Sequence, residues 1–277
     1  MTADHATGEI AIDTFDDVLV VIPARYRSSR LPGKPLVPIA GKPMVVRTAE
    51  QVSKAVPRER VIVATDDERI AAVCREHGIR VEMTNDEHAT GGDRVAEVAS
   101  RIPAQIYVNV QGDEPVFNPN DVLAAIAAAR ADPSKTYLGY CEITDEEQWR
   151  DSKYLKLLFG EKRNLYYIGR AQVPGSHDGA FHLGYRGVWV YAYSPEGLAA
   201  FAAPGHRTRL ELIEDCEVVR FLELGLPVEV VPMSADSISV DRPEDVAKVE
   251  AYLAREVRSD RMSPRTVGYG RTEMGET

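Results

Sequence analysis

An α/β fold built on a doubly wound, mostly parallel sheet is predicted by three features of this 277-residue chain. Short apolar runs alternate with amphipathic segments from Val18 to about residue 132, the pattern of strand–helix–strand units. The first run, Val18-Leu19-Val20-Val21-Ile22, is long enough for one buried strand and too short to span a membrane. It opens directly onto a basic loop rich in small residues, and open α/β sheets place ligands at the carboxyl ends of their strands.

Taken in order, residues 1–16 read as a flexible leader before a single domain over 17–258. Pro23 closes the first strand, because proline cannot donate to a central ladder. Ile39-Ala40-Gly41 is a turn, and Pro43 suits the first turn of a helix through Ala55. Val61 to Thr65 is a second strand ending in Asp66-Asp67, where a helix cap explains at least one aspartate better than catalysis does. The next helix carries Ile70, Val73 and Cys74 on one face. Arg80 to Met83 is a third strand. The loop Thr84 to Gly92 then leads, through Gly92 or Asp93, into a helix over Arg94 to Arg101. Ile106 to Val110 is a further strand that runs straight into Gln111-Gly112-Asp113-Glu114-Pro115.

The pattern changes from residue 136. Tyr137 to Ile143, Tyr154 to Phe159 and Leu165 to Ile168 read as strands, the last two joined by the hairpin-like 160–164. Pro174 to Gly179 is a flexible loop before Phe181. Arg186 to Tyr193 is another strand, with Tyr185, Trp189, Tyr191 and Tyr193 at the period-two spacing of a packed face. A short helix begins at Pro195, and Leu210 to Leu224 reads as one amphipathic helix closed by Gly225 and Pro227. Val228 to Met233 is a late strand. Val240 to Asp245 leads into a last helix ending near Arg258, and 259–277 reads as a flexible tail.

Charge and cysteine usage narrow the class. Lys+Arg total 33 against 43 Asp+Glu, a formal net charge of -10, which argues against a protein that tracks a nucleic-acid backbone. Cys74, Cys141 and Cys216 are scattered and odd in number, against a disulfide framework or zinc knuckle and in keeping with a reducing compartment. No apolar stretch has membrane length, and the acidic start MTADHATGEIAIDTFDD lacks a signal-peptide core; the expectation is a cytoplasmic protein with no membrane partner.

Against that acidic background, Arg25, Arg27, Arg30 and Lys34 fall within ten residues, spaced by Ser28, Ser29 and Gly33. Such a loop suits a multiply charged anion, a nucleoside triphosphate above all. Asp113 follows a buried strand, and Asp241 occupies a similar strand-to-helix turn. Two carboxylates facing a phosphate loop are the parts needed for magnesium, which prefers one or two carboxylates plus substrate phosphates and water. Asp241 taken alone reads as a helix cap before Pro243. His88 lies in the Gly-rich loop with Thr90, Gly91, Gly92 and Arg94, either reading a base or ribose or standing on the surface.

ARYRSSRLPGKPL, ATDD, DEHATGGDRVAEVA, VNVQGDEP and VDRPED together resemble the 3-deoxy-manno-octulosonate (Kdo) cytidylyltransferases, over about residues 18–255. The resemblance implies a Rossmann-like fold of the nucleotide-diphospho-sugar transferase type, Mg2+, CTP as donor, and a homodimer formed through a smaller mixed-strand subdomain. It divides the chain into a nucleotide-binding half (17–135), an acceptor-binding and dimerisation part (136–233), and a metal turn with the last helix (234–258). It implies that Ala24, Arg25, Ser28, Arg30 and Lys34 hold the triphosphate and that Thr90, Gly91, Arg94 and Gln111 surround the nucleoside. Asp113 and Asp241 would bind metal, and Arg170, Gly187, Tyr191 and Glu217 would line the acceptor site.

Two positions depart from the family. A histidine that contacts the acceptor is Gly187 here, with His182 as a rival alignment, and a glutamine after the helix glutamate is Val218. The expected reaction is transfer of CMP from CTP to a Kdo-like sugar acid with release of pyrophosphate, Arg25, Arg30, Lys34, Asp113 and Asp241 acting in catalysis. A smaller acidic acceptor such as a phosphonate is the alternative. A dinucleotide-dependent oxidoreductase would want GxGxxG in the first loop, which is absent, and a nucleotide-binding regulator would not need both carboxylates.

Overall fold

The computed structural model describes residues 14–28 and 31–262. In chain order its elements are β1 Val18–Ala24, a two-residue ribbon of β2 Pro38–Ile39 and β3 Lys42–Pro43, α1 Met44–Val52, β4 Val61–Thr65, α2 Glu68–Glu76, β5 Arg80–Met83, α3 Gly91–Arg101, β6 Ile106–Val110 and α4 Pro119–Ala131. Then come β7 Thr136–Glu142, α5 Glu146–Arg150, β8 Lys156–Phe159, β9 Leu165–Gly169, β10 Tyr185–Tyr193, α6 Pro195–Ala202, α7 Arg209–Glu214, α8 Val218–Glu223, β11 Val228–Pro232 and α9 Pro243–Met262.

The main sheet runs β11-β7-β10-β6-β1-β4-β5, with the β8–β9 hairpin branching from β10. β1 pairs in parallel with β4 and β6, β4 with β5, and β7 with β11; β10 is antiparallel to both its neighbours, β6 and β7. All seven residues of β1 are buried, because it lies mid-sheet with helices on both faces. Val18, Val20 and Ile22 pack with α1, α2 and α4, while Leu19 and Val21 pack with α3, α6 and α8. A third cluster, with Ile39, Met44, Val116, Val240 and Val249, fastens α9 to the end of the sheet where β1 and β6 terminate.

The sheet agrees with the predicted class, and several boundaries differ for physical reasons. α1 starts after Pro43, which acts as its N-cap residue, and ends at Val52 rather than Ala55. α3 begins at Gly91 because Thr90 and Asp93 form a reciprocal capping box. The single helix expected over Leu210 to Leu224 is two: Asp215 takes a left-handed conformation, φ 51°, and the chain turns before restarting at Val218. β8 begins at Lys156, α5 was not anticipated, and α9 continues to Met262, past Arg258. Of the leader expected over 1–16, residues 14–16 are held in place, with the Thr14 carbonyl accepting from Arg130 and Asp16 paired with Arg60. Residues 1–13 and 263–277 of the two expected flexible termini lie outside the described residues.

Candidate active site

The loop leaving β1 is closed by Gly33, whose φ of +68° and N–H bond to the Tyr26 carbonyl (3.1 Å) turn the chain back. A side chain there would sit 3.2 Å from the Tyr26 ring. The turn returns Lys34 to the cleft between the ends of β1 and β6. Its Nζ donates to Asp113 Oδ2 at 2.5 Å and to Asp241 Oδ1 at 3.2 Å. Burial works against the ammonium, but the charges and hydrogen bonds of Asp113 and Asp241 outweigh it and raise the Lys34 pKa. Arg25 and Ser28 line the same cleft, and Ser28 Oγ accepts the Leu31 N–H at 3.4 Å. Arg30 lies outside the described residues.

β6 delivers Gln111 and Asp113 past Gly112, where a Cβ would lie 2.6 Å from the Pro23 carbonyl; only glycine lets the two strand ends approach this closely. Asp241 is brought in from 128 positions away in sequence by backbone stitching: Val240 N–H donates to the Asp113 carbonyl (2.9 Å) and Ile238 N–H to the Val116 carbonyl (3.1 Å). The backbone N–H groups of Asp241 and Arg242 are taken by the Asp245 carboxylate, which serves as cap at this turn and leaves Asp241 to face Lys34. Glu114, beside Asp113, is buried. Burial, then the charge of Asp113, push its pKa up to about 7, although the Ser237 and Ser239 hydroxyls donate to it.

No group of three or more His, Cys, Asp or Glu residues able to hold a metal occurs among the described residues. Asp113 and Asp241, bridged by the Lys34 ammonium, bring two carboxylates together, the number that could hold a cation completing its shell with substrate and water.

The third wall is the amino end of α3. Gly91 packs so closely that a Cβ would meet Pro23 at 3.0 Å and the Gln111 amide at 3.2 Å. Arg94 lines the cleft but is turned inward, donating to Thr84 Oγ1 (2.7 Å) and the Asn85 carbonyl (3.1 Å) and pairing with Asp66 at 3.1 Å. Burial lowers its pKa against the pull of Asp66. Asp67 caps α2, as expected for one of these two aspartates. His88 is not a bare surface residue: it lines the cleft and its Nε2 lies 2.5 Å from Glu97.

A second pocket adjoins the first, sharing Arg25, Thr90, Gly91, Gln111, Asp113 and Asp241 and adding Leu155, Trp189, Tyr191, Arg207, Asp215 and Glu217. Glu217 is the hinge of this arrangement. Standing at the break between α7 and α8, it accepts from Gly92 N–H at 2.7 Å and from the Asn109 and Gln111 amides at 3.4 Å. Burial raises its pKa in spite of these donors. Tyr191 is 3% exposed, and burial drives its hydroxyl well above the usual phenol range.

Three residues expected on the acceptor side stand apart from these two pockets. Arg170 does not line either pocket; its guanidinium donates to the carbonyls of Ser152 (2.8 Å) and Glu214 (3.2 Å). Gly187 faces a neighbouring groove, and a Cβ on it would fall 2.9 Å from the Trp189 ring, which covers it. His182, the rival alignment, is 65% exposed and lies 3.4 Å from Asp178 in the loop before β10, away from the cleft. Val218 is buried in the core.

Residues 19–223 match the family model described as Cytidylyltransferase. The chain belongs to that family. Two relatives are named 3-deoxy-manno-octulosonate cytidylyltransferase: the protein of Geobacter metallireducens is 43% identical over 86% of this chain and 98% of its own length, and that of Syntrophotalea carbinolica 40% identical over 85% and 98%. A relative from Shewanella oneidensis, 37% identical over 86% of this chain and 99% of its own, is named 8-amino-3,8-dideoxy-manno-octulosonate cytidylyltransferase. Among solved structures, CMP:2-keto-3-deoxy-manno-octonic acid synthetase complexed with CTP superposes with a TM-score of 0.80 at 32% identity, covering 87% of this chain and 99% of its own.

Within this cytidylyltransferase, nine residues predicted at the donor side (Ala24, Arg25, Ser28, Lys34, Thr90, Gly91, Arg94, Gln111 and Asp113) converge with Asp241 on one cleft. Sequence reasoning missed Glu114 as a buried carboxyl, Trp189 as a pocket wall and Arg207 as a pocket cation. The first could have been suspected from the polar run SADSIS that supplies its two serines; the other two carry no signal in the sequence.

Proposed function

We propose that the chain transfers CMP from CTP to a Kdo-like 3-deoxy-ulosonic acid and releases pyrophosphate. The observation that carries this reading is the Lys34 ammonium bridging Asp113 and Asp241 at the floor of a cleft that continues into the pocket of Tyr191 and Glu217. The triphosphate lies along Arg25, Ser28, Arg30 and Lys34, whose charges meet the negative charge that accumulates on the leaving pyrophosphate. Thr90, Gly91, Arg94 and Gln111 form the wall for cytosine and ribose. The acceptor's hydroxyl oxygen attacks the α-phosphorus in line, the bond to the β-phosphate bridging oxygen breaks, and the hydroxyl proton passes to water. Asp113 and Asp241 would hold Mg2+, which when bound supplies neutralisation of phosphate charge.

Two further features belong to this reading. Leu158 and Tyr166 on the β8–β9 hairpin and Leu210, Leu212 and Ile213 on α7 are exposed apolar side chains, which supports a homodimer formed through the later part of the chain. The three cysteines are free and buried, in keeping with a reducing, cytoplasmic setting.

A smaller acidic acceptor such as a phosphonate is favoured by one specific observation: the Trp189 ring occupies the space over Gly187, so that side of the pocket is an apolar wall rather than a hydrogen-bonding one. Pyrophosphate release from CTP with Kdo, 8-amino-3,8-dideoxy-manno-octulosonate and phosphonoacetate tests both. Turnover of the sugar acids supports the first reading, turnover of phosphonoacetate alone supports the second, and release with none of them refutes both.

A further inference from the structure

The acceptor pocket has an imbalance of charge. Asp113, Glu114, Asp215, Glu217 and Asp241 line it; Lys34 answers Asp113 and Asp241 from the adjoining cleft, and among the described residues two cations, Arg25 and Arg207, line the pocket itself. Bringing an anion into such a pocket is unfavourable unless a cation meets it directly. Arg25 also lines the nucleotide cleft, where the triphosphate claims it, whereas Arg207 does not. Arg170 is spent on two backbone carbonyls outside the pocket.

We infer that Arg207 takes the acid group of the acceptor, displacing Asp215 from its guanidinium; this rests on the proposed transfer to an acidic acceptor. The hydrogen bonds around Arg207 show why it is available. Its Nη2 donates to the Glu211 carbonyl and to Asp215 Oδ1, both at 2.9 Å, while its Nε is buried with no hydrogen-bond partner. Glu211 Oε1 lies 3.4 Å from that Nε, but the Glu211 carboxylate is held by the buried Arg220, at 2.7 and 2.8 Å, and by the Thr208 N–H at 2.9 Å. The charge of Arg207 is therefore answered mainly by Asp215, which is 69% exposed and sits on the left-handed turn between α7 and α8. An exposed carboxylate is a weak partner. An acceptor carboxylate or phosphonate entering the pocket can take its place, with Asp215 turning to water and the Glu211 carbonyl bond keeping the guanidinium in position.

The test compares Arg207→Met, Arg207→Lys, Asp215→Asn and Arg170→Met with wild type, using CTP with Kdo and with phosphonoacetate. Loss of a hydrogen-bonded charge partner predicts a rise in acceptor KM of roughly 10- to 150-fold for Arg207→Met, with CTP KM unchanged as the control for an intact fold. Arg207→Lys restores part of the loss, Asp215→Asn lowers acceptor KM or leaves it unchanged, and Arg170→Met leaves it unchanged. The carboxamide of the same acceptor adds a readout that a structural role would not move: wild type favours the acid, and Arg207→Met loses that preference. Unchanged acceptor KM in Arg207→Met, or loss confined to Arg170→Met, overturns the assignment to Arg207 while leaving the transfer reaction standing. Absence of pyrophosphate release by wild type with either acid overturns the transfer reading and this assignment together.

Discussion

Replacing Lys34 by Met removes the ammonium between Asp113 and Asp241 while keeping the length of its stem. The Lys34 side chain is 14% exposed and its partners 30% and 26%, so the cluster lies between a surface pair and a buried one. Breaking a buried pair costs about 3–5 kcal/mol and an exposed pair about 0–1, which places the loss of stability here at roughly 1–3 kcal/mol. Catalysis should suffer more. A preorganised charge aimed at developing negative charge supplies about 10²–10³ in kcat. Two roles for Lys34 are then separable. If it only holds the carboxylates apart until a metal arrives, raising Mg2+ restores turnover. If it acts on the phosphates, kcat stays low at saturating Mg2+ and CTP, and by the same factor with every acceptor. Pyrophosphate release gives kcat, and urea unfolding gives the stability term. The reasoning fails if Lys34→Met keeps a kcat within about threefold of wild type, a loss below 1 kcal/mol of transition-state stabilisation. It fails equally if the variant loses one acceptor and retains another.

Asp113→Ala and Asp241→Ala should each nearly abolish turnover while the sheet survives, and excess chelator should do the same to wild type; undiminished activity in chelator would remove magnesium from the reaction. Gly187→His alone should destabilise the protein by about 1–3 kcal/mol through overpacking, because its Cβ would lie 2.9 Å from the Trp189 ring. Gly187→His with Trp189→Ala should raise kcat/KM for Kdo relative to phosphonoacetate, and an unchanged ratio would show that this wall does not select the acceptor. Burial opposes the Asp93 carboxylate, but Arg220 outweighs it and holds the pKa below the usual 3.8, so its stabilisation is present above pH 3.8 and is lost as pH falls through the lower folded value. Arg220→Met should therefore cost about 3–5 kcal/mol at pH 7, with the gap from wild type narrowing on acidification in urea titrations; a gap that widens contradicts this pairing.

The cleft at the ends of β1 and β6 was legible because its lining residues are local to strand ends. β4, β5 and β6 fall where the apolar runs predicted, and the residues following β1 and β6 belong to one cleft because parallel neighbours end on the same edge. Even Asp241, far along the chain, was readable as a carboxylate in a strand-to-helix turn. Its alternative as a helix cap is answered only by Asp245, which occupies that role. The later part of the chain was harder. Leu210 to Leu224 keeps helical periodicity through Asp215, so hydrophobic spacing could not show that the chain breaks there. Nor could it show that Trp189, at an irregularity in the β7–β10 pairing, turns its ring over Gly187. Both are tertiary decisions made by partners distant in sequence.

That break has a physical cause and a consequence for function. Arg220, 1% exposed, is paired with Glu211 on α7 and Asp93 on α3, so the two short helices are locked to the helix whose amino end walls the cleft. A continuous helix from Leu210 would carry residue 217 onward at 100° per residue; the left-handed Asp215 instead lets Glu217 meet the Gly92 N–H. The same carboxylate accepts from Gln111, at the end of β6. Glu217 thus touches two walls of the first cleft while lining the adjoining pocket. Removing it should disturb CTP and acceptor binding together, whereas removing Arg207 should affect the acceptor alone. The position of one residue across the α7–α8 break is what joins the two pockets.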